Sequence, residues 1–134
     1  MNRDRLCELF KEEGYAARIY EGQLFVTACG REVLVNLDDE NRDYIQLVYS
    51  LLVDLPRRVT YSRLANIANG LQHKVKLCKF SYMFKYAGKA VFAVDVDLLA
   101  DEDALREKLP QYFQELFLGA EQLENAVKYR VFKD

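Results

Sequence analysis

One histidine, His73, stands in a chain of 134 residues, and its surroundings limit the chemistry open to it. A Ser-His-Asp or Cys-His relay needs a nucleophile within hydrogen-bond reach of the ring and a third group to orient it. The flanking Gln72 and Lys74 serve neither purpose, and His73 falls off the apolar stripe of the helix that carries it. It reads as a surface histidine with no catalytic or metal role. The three cysteines, Cys7, Cys29 and Cys78, include no CxxC pair, and their number is odd. That pattern argues against a disulfide framework and a structural zinc site. Cys7 falls on a helix and Cys29 at a strand end, and both read as small apolar residues in or near the core.

Carboxylates cluster at Asp38-Asp39-Glu40, at Asp95 and Asp97, and at Asp101-Glu102-Asp103. A calcium loop of the EF-hand kind needs ligands at alternate positions, a central glycine and a late glutamate. The first cluster lacks that spacing and reads as a turn. Asp95 and Asp97 share one strand face, where two carboxylates could hold a hard cation but more simply make a solvated face. The six glycines are scattered, with no GxGxxG or Walker spacing to cradle a phosphate. Nothing in the sequence asks for a cofactor. Tyr82, Phe84 and Tyr86 recur at period two, so a regular strand would set them on one face; with Phe92 they would line a small-ligand pocket. A formal net charge of -2, with Arg57-Arg58 and Lys74-Lys76-Lys79 the only basic clusters worth naming, gives no field for nucleic acid.

The elements that must position these residues follow from periodicity. Helix-period spacing over Arg3 to Glu13 puts Leu6, Leu9, Phe10 and Cys7 on one face, with Asn2 as N-cap and Gly14 as the terminating residue. From Ala17 to Cys29 the period is two, broken at Gly22, which leaves either one interrupted strand or two. Val33, Val35 and Leu37 alternate with Leu34 and Asn36. Tyr44 to Leu52 then sets Ile45, Leu47, Tyr49 and Leu51 on one face and Tyr44, Gln46, Val48 and Ser50 on the other. That strand is apolar on nearly every position, as when both faces are covered. Thr60 or Ser62 caps a second helix whose stripe is Leu64, Ile67, Ala68, Leu71 and Val75, with Gly70 as a close packing point. Lys79 to Tyr86 and Lys89 to Asp97 form a hairpin across Ala87-Gly88. Asp101-Glu102-Asp103 opens a last helical region with Leu105, Leu109, Tyr112, Phe113, Leu116 and Phe117 on its apolar face. Pro110 should kink or restart it, and Leu123, Ala126, Val127 and Val131 continue on a separate face.

The order is α-β-β-β-α-β-β-α: one α+β domain over residues 1–134, with a five-stranded, mostly antiparallel twisted sheet packed with helices. A composition of 51% hydrophobic and 30% charged residues is ordinarily globular, and the length suffices for a core without staples. The N-terminus lacks the apolar segment of a signal peptide, and no apolar run reaches about 18 residues. A cytoplasmic protein that does not engage a membrane is expected.

Three stretches carry a family resemblance: Leu9-Phe10-Lys11-Glu12-Glu13-Gly14-Tyr15, then Ile45-Gln46-Leu47-Val48-Tyr49, then Ala65-Asn66-Ile67-Ala68-Asn69-Gly70 leading to Leu77-Cys78-Lys79-Phe80. From about Leu6 to Ala126 the chain resembles the YbjN family of bacterial proteins, candidate sensory transduction regulators. The resemblance implies a fold like that of type III secretion chaperones, commonly dimeric, and a non-enzymatic protein that binds other proteins. It brings no catalytic residues.

The expectation is therefore a protein-interaction module, chaperone-like or a regulatory adaptor of sensory or stress signalling, and a homodimer, with its protein partner unspecified. Its surface would be Tyr44, Gln46 and Val48 with Tyr112, Phe113, Leu116 and Phe117, because these apolar positions exceed what one monomer sheet covers. The alternative is a small-ligand sensor using Tyr82, Phe84, Tyr86 and Phe92.

Overall fold

Tight turns set the topology. A computed structural model describes residues 1–37, 44–55, 58–72 and 77–133. Its elements are α1 (Arg3–Glu12), β1 (Ala16–Tyr20), β2 (Gln23–Ala28), β3 (Arg31–Leu37), β4 (Tyr44–Asp54), α2 (Tyr61–Gln72), β5 (Lys79–Tyr86), β6 (Lys89–Leu99) and α3 (Glu102–Lys133). Glu21-Gly22, Cys29-Gly30 and Ala87-Gly88 each have positive φ at both positions, 50° and 77°, 52° and 75°, and 50° and 77°. Type I′ turns require this, and their twist matches that of the strands they join. Tyr20 pairs with Gln23, Ala28 with Arg31 and Tyr86 with Lys89 across the three turns.

The turn at Glu21-Gly22 decides the strand count. The segment from Ala17 to Cys29 is two strands, so the sheet has six strands and not five, in the order β1-β2-β3-β4-β6-β5. The pairs β1/β2, β2/β3, β3/β4 and β5/β6 are antiparallel. The Leu55 N–H donates to Gly88 C=O at 3.0 Å, so the end of β4 meets the start of β6 and these strands also run antiparallel. Cys29 is exposed in the second turn rather than near the core. The Asp38-Asp39-Glu40-Asn41 turn, Arg57, Lys74, Lys76 and His73 lie outside the described residues.

The chain divides into two units, residues 1–48 with 96–114 and residues 49–95 with 115–134. In the first, α1 packs on β1 and β2. Leu6, Leu9 and Phe10 are buried, as are Leu24, Val26, Val33, Val35, Ile45, Leu47, Val96 and Leu98 on alternate strand positions. Alternation in the strands and three-to-four spacing in the helix thus direct two apolar faces at each other. Asn2 caps α1 by accepting from Arg5 N–H at 2.8 Å, and Gly14 ends it at φ 92°.

Charged side chains join α1 to the first turns of α3. Arg5 grips Glu102 with both arms, Nε to Oε1 at 2.8 Å and Nη2 to Oε2 at 2.9 Å, and reaches Glu12 at 3.2 Å. Arg106 donates to Glu12 at 2.5 Å and to Glu13 at 2.9 Å. Hydrogen bonds from Arg106, then Arg5, hold the Glu12 carboxyl below the usual 4.5. The Arg5 bond does the same for Glu102. A carboxyl lowered on folding contributes stability that is complete above its unfolded pKa and is lost as pH falls through the lower folded value. The urea midpoint should therefore hold from neutral pH to about 4.5 and drop below it. Replacing Glu12 and Glu102 together by Gln should flatten that drop, and an unchanged acid limb would exclude these two groups as its source.

In the second unit α2 packs on β5. Thr60 is its cap, accepting from Arg63 N–H at 3.2 Å. Leu64, Ile67 and Ala68 are buried, but Leu71 is only half-buried, so the stripe is shallower toward its end than its spacing implies. Val75 lies outside the described residues. Gly70 is not a close packing point: it is exposed, and a Cβ there would meet nothing within 4 Å. Gly70→Ala should consequently stabilise the protein, by up to about 1 kcal/mol, through helix propensity alone. A lower urea midpoint for this variant would contradict that placement.

Along α3 the buried positions step by three and four residues, from Leu105, Leu109 and Phe113 to Leu116, Ala120, Leu123, Val127 and Val131. Leu123, Val127 and Val131 thus keep the spacing of the earlier face and do not begin a separate one. Pro110 is exposed within α3 and does not split it. Asp101 supplies the cap, accepting from Ala104 N–H at 3.1 Å.

Candidate functional site

Among the described residues, the strand face opposite the one on which α1 packs in the first unit, and α2 in the second, carries no helix. In the first, the register lines up Arg18 with Phe25, Phe25 with Leu34, and Leu34 with Val48 in one row across β1 to β4. Phe25, Leu34 and Val48 are each half-buried, exposing an apolar band. Arg18 closes its end, with the guanidinium carbon 5.1 Å from the Phe25 ring centroid and 5.6 Å from that of Tyr20. It also pairs with Glu32 at 3.3 Å. Arginine over an aromatic face presents a flat cationic surface beside an apolar one, an arrangement suited to protein contacts.

Beside this row Asn36 faces Gln46, Nδ2 to Oε1 at 3.4 Å. Asn36, Leu37, Tyr44, Ile45, Gln46 and Asp97 line a cavity of about 440 Å³. Of the expected surface residues, Tyr44 is exposed and Gln46 and Val48 are half-buried, all on this open face. Tyr112 is half-buried, whereas Phe113, Leu116 and Phe117 are buried. Phe113 stacks on Phe10 and Tyr15, with centroids 6.2 and 5.0 Å away. In the second unit Phe117 meets Tyr49 edge-on at 5.6 Å. The aromatic part of α3 therefore works in the core of this chain and is not available as a surface.

The open face of the second unit was missed by sequence reasoning because of one bulge. Tyr82 opposes Phe92, but Phe84 opposes Val91, with Met83 taken up in an irregularity between them. An extra residue turns every later side chain to the other face. Tyr82 points to the helix side, against Phe92 at 5.4 Å and Tyr61 at 5.0 Å. Lys85 follows it there and donates to the Val59 carbonyl. Phe84 and Tyr86 point the opposite way and are 54% and 68% exposed, while Phe92 is fully buried. The four aromatics expected to line one pocket therefore lie on two faces. Asp54 and Lys89, 3.7 Å apart, lie at one end of this outer face. Two residues further along each strand, Leu52, which is exposed, and Val91 occupy the same face.

Among the described residues neither carboxylates nor cysteines form a centre. Among the described residues no three His, Cys, Asp or Glu stand close enough to hold a metal. Asp95 is buried and opposes Lys79 across the hairpin, whereas Asp97 is exposed. Burial, then Glu115 and Asp95, pushes the Cys78 thiol up to about 11, away from the thiolate form that a nucleophile needs. Among the described residues no helix is long and apolar enough to cross a membrane.

The architecture is the α+β fold of YbjN-like proteins. It superposes on YbjN of E. coli, a candidate transcription regulator, with a TM-score of 0.70, 12% identity, and coverage of 98% of this chain and 95% of that one. An uncharacterised protein from Methanothermobacter thermautotrophicus has the same fold, with a TM-score of 0.65, 12% identity, and coverage of 98% and 99%. At 12% identity the likeness is one of fold. No family model and no curated protein matches the sequence.

Proposed function

We propose that this chain is a non-enzymatic protein-interaction module, a chaperone-like or regulatory adaptor that binds other proteins and itself. The row Arg18–Phe25–Leu34–Val48 carries the reading: half-exposed apolar side chains on a strand face that no helix of its unit covers. Apolar residues grouped on an open face mark contact sites more often than chance exposure does. The fold of a candidate transcription regulator supports a regulatory setting by analogy. The balanced charge favours regulation through protein contacts over nucleic acid.

A photo-crosslinking residue at Val48 should capture discrete proteins in the native cell, and the same residue at Leu118, exposed on α3, should not. Equal capture at both positions, or none at Val48, would overturn the reading. The small-ligand alternative rests on the cavity at Asn36, Gln46 and Asp97, since the four-aromatic pocket does not form. It predicts a rise in melting temperature with some member of a metabolite panel, abolished by Gln46→Leu.

A further inference from the structure

The cavity of about 440 Å³ in the first unit has a lining that selects for charge as well as for size. Asn36 and Gln46, directly opposed in the register of β3 and β4, bring two carboxamides to it. The Asn36 amide donates to Gln46 Oε1 at 3.4 Å, which uses one lone pair of a carbonyl oxygen that has two. Asp97 adds a carboxylate, the one charged side chain among the described lining residues. Asp97 and Gln46 also interact elsewhere in the chain. A carboxylate accepts at about four sites, so such an interaction and a ligand's N–H can share it. Tyr44, 46% exposed, supplies an aromatic ring, and Leu37 and Ile45 supply apolar surface.

That chemistry narrows the ligand. An anion would meet the Asp97 charge with none of opposite sign among the described lining residues. A hard metal ion is badly served, because calcium takes about six to eight oxygens and the lining offers one carboxylate. An ammonium or guanidinium group fits. It carries several N–H donors and no acceptor, and its bond to a carboxylate is charge-assisted. An aromatic ring beside the carboxylate favours the same charge. The volume lies toward the lower end of small-molecule sites, which span roughly 300–1,000 Å³. We infer that this cavity binds a small organic cation of about amino-acid size. Asp97 and the amide oxygens of Asn36 and Gln46 receive its ammonium or guanidinium head, and Leu37, Ile45 and Tyr44 receive a short apolar stem. The inference rests on the small-ligand reading and names the ligand class.

Titration of the full chain with n-butylammonium, followed by nitrogen–proton correlation spectra, tests it. The side-chain amide signals of Asn36 and Gln46 should move and saturate, and n-butylguanidinium should act in the same way. Butyrate and n-butanol keep the stem but lose the positive charge, and should bind at least about tenfold more weakly. Asp97→Asn removes the charge and keeps the shape. It should weaken n-butylammonium at least about tenfold, with an unchanged circular dichroism spectrum. Glu107→Gln, the same change at an exposed position on α3, should leave binding intact. No saturable movement with either cation, or equal binding of n-butanol, overturns the inference. If butyrate or n-butanol saturates these signals and the cations do not, the cation falls and the small-ligand reading stands. If in addition no metabolite raises the melting temperature and no probe binds, both fall. A lysine or arginine of a bound protein carries the same head, and photo-crosslinking at Val48 in the Asp97→Asn background separates the two sources. Retained capture is the expected result. Lost capture would give the cation to a protein side chain and overturn the free ligand.

Discussion

Phe10→Ala should lower stability by about 3–5 kcal/mol, at the upper end of what a core truncation costs. Phe10 is fully buried, and its loss does more than open a cavity. Its ring lies 6.2 Å from Tyr15, edge-on, and 6.2 Å from Phe113, while Tyr15 and Phe113 are themselves 5.0 Å apart. Edge-on and tilted ring pairs add roughly 0.5–1.5 kcal/mol beyond area burial, so removing the shared member loses two such terms. Typical domains have only about 5–15 kcal/mol in total, which makes this a large fraction. The matched control is Phe84→Ala, which removes the same atoms from a half-exposed ring and should move stability by no more than about 0.5 kcal/mol. Urea denaturation of both variants at equal m-value decides the matter. If they differ by less than about 1 kcal/mol, the assignment of Phe10 to the core and Phe84 to the surface fails.

That contrast also separates what was legible in the sequence from what was not. Local rules worked where one short segment contains the whole cause. Asn2 and Gly14 bound α1 because capping needs only a side-chain acceptor at one end and a left-handed residue at the other. Ala87-Gly88 made its hairpin for a similarly local reason. The alternation in β4 correctly sorted Ile45 and Leu47 from Tyr44 and Gln46. It extended two residues further than expected, to Asp54.

What failed depended on a partner strand or on the supply of core. Phe84 could not be placed by period two, because the irregularity at Met83 exists only relative to β6. The row from Arg18 to Val48 comes from registers of three separate strand pairs. Phe113, Leu116 and Phe117 were recognised as apolar, but the sequence could not say how much sheet surface stood ready to receive them. The sixth strand was hidden as well, because it appears only where Glu21 takes positive φ to close a turn with Gly22. Cys29 failed for the same reason, because a turn residue of unfavourable type looks like the end of a strand. Gly70 and Gly119 could not be told apart by sequence either. Both interrupt helices, and only the packing shows which needs its hydrogen.

Gly119→Ala should destabilise the protein by about 1–3 kcal/mol, against the roughly 1 kcal/mol gain expected from helix propensity. A Cβ at this position would stand 2.8 Å from Cys78 Sγ, 3.4 Å from Cys78 Cβ and 3.5 Å from the tip of the Phe80 ring. The first distance is closer than carbon and sulfur pack, so something must move. Cys78 has little room to yield. It is buried, and its thiol donates to the Glu115 carbonyl at 3.5 Å. Its own carbonyl accepts from Gln72 Nε2 at 2.9 Å, while Gln72 Oε1 accepts from Phe80 N–H at 2.8 Å. The Gln72 amide thereby fixes both residues that the new methyl would push. Removing the sulfur should reverse the sign: in a Cys78→Ala background the tight contact disappears, a 3.4 Å neighbour remains, and Gly119→Ala should become neutral or stabilising. The coupling between the two sites should then reach about 1–3 kcal/mol, as for residues in direct contact. A double-mutant cycle by urea denaturation measures it. The same cost for Gly119→Ala in both backgrounds would show that the sulfur is not the obstacle and that α3 does not approach Cys78 this closely.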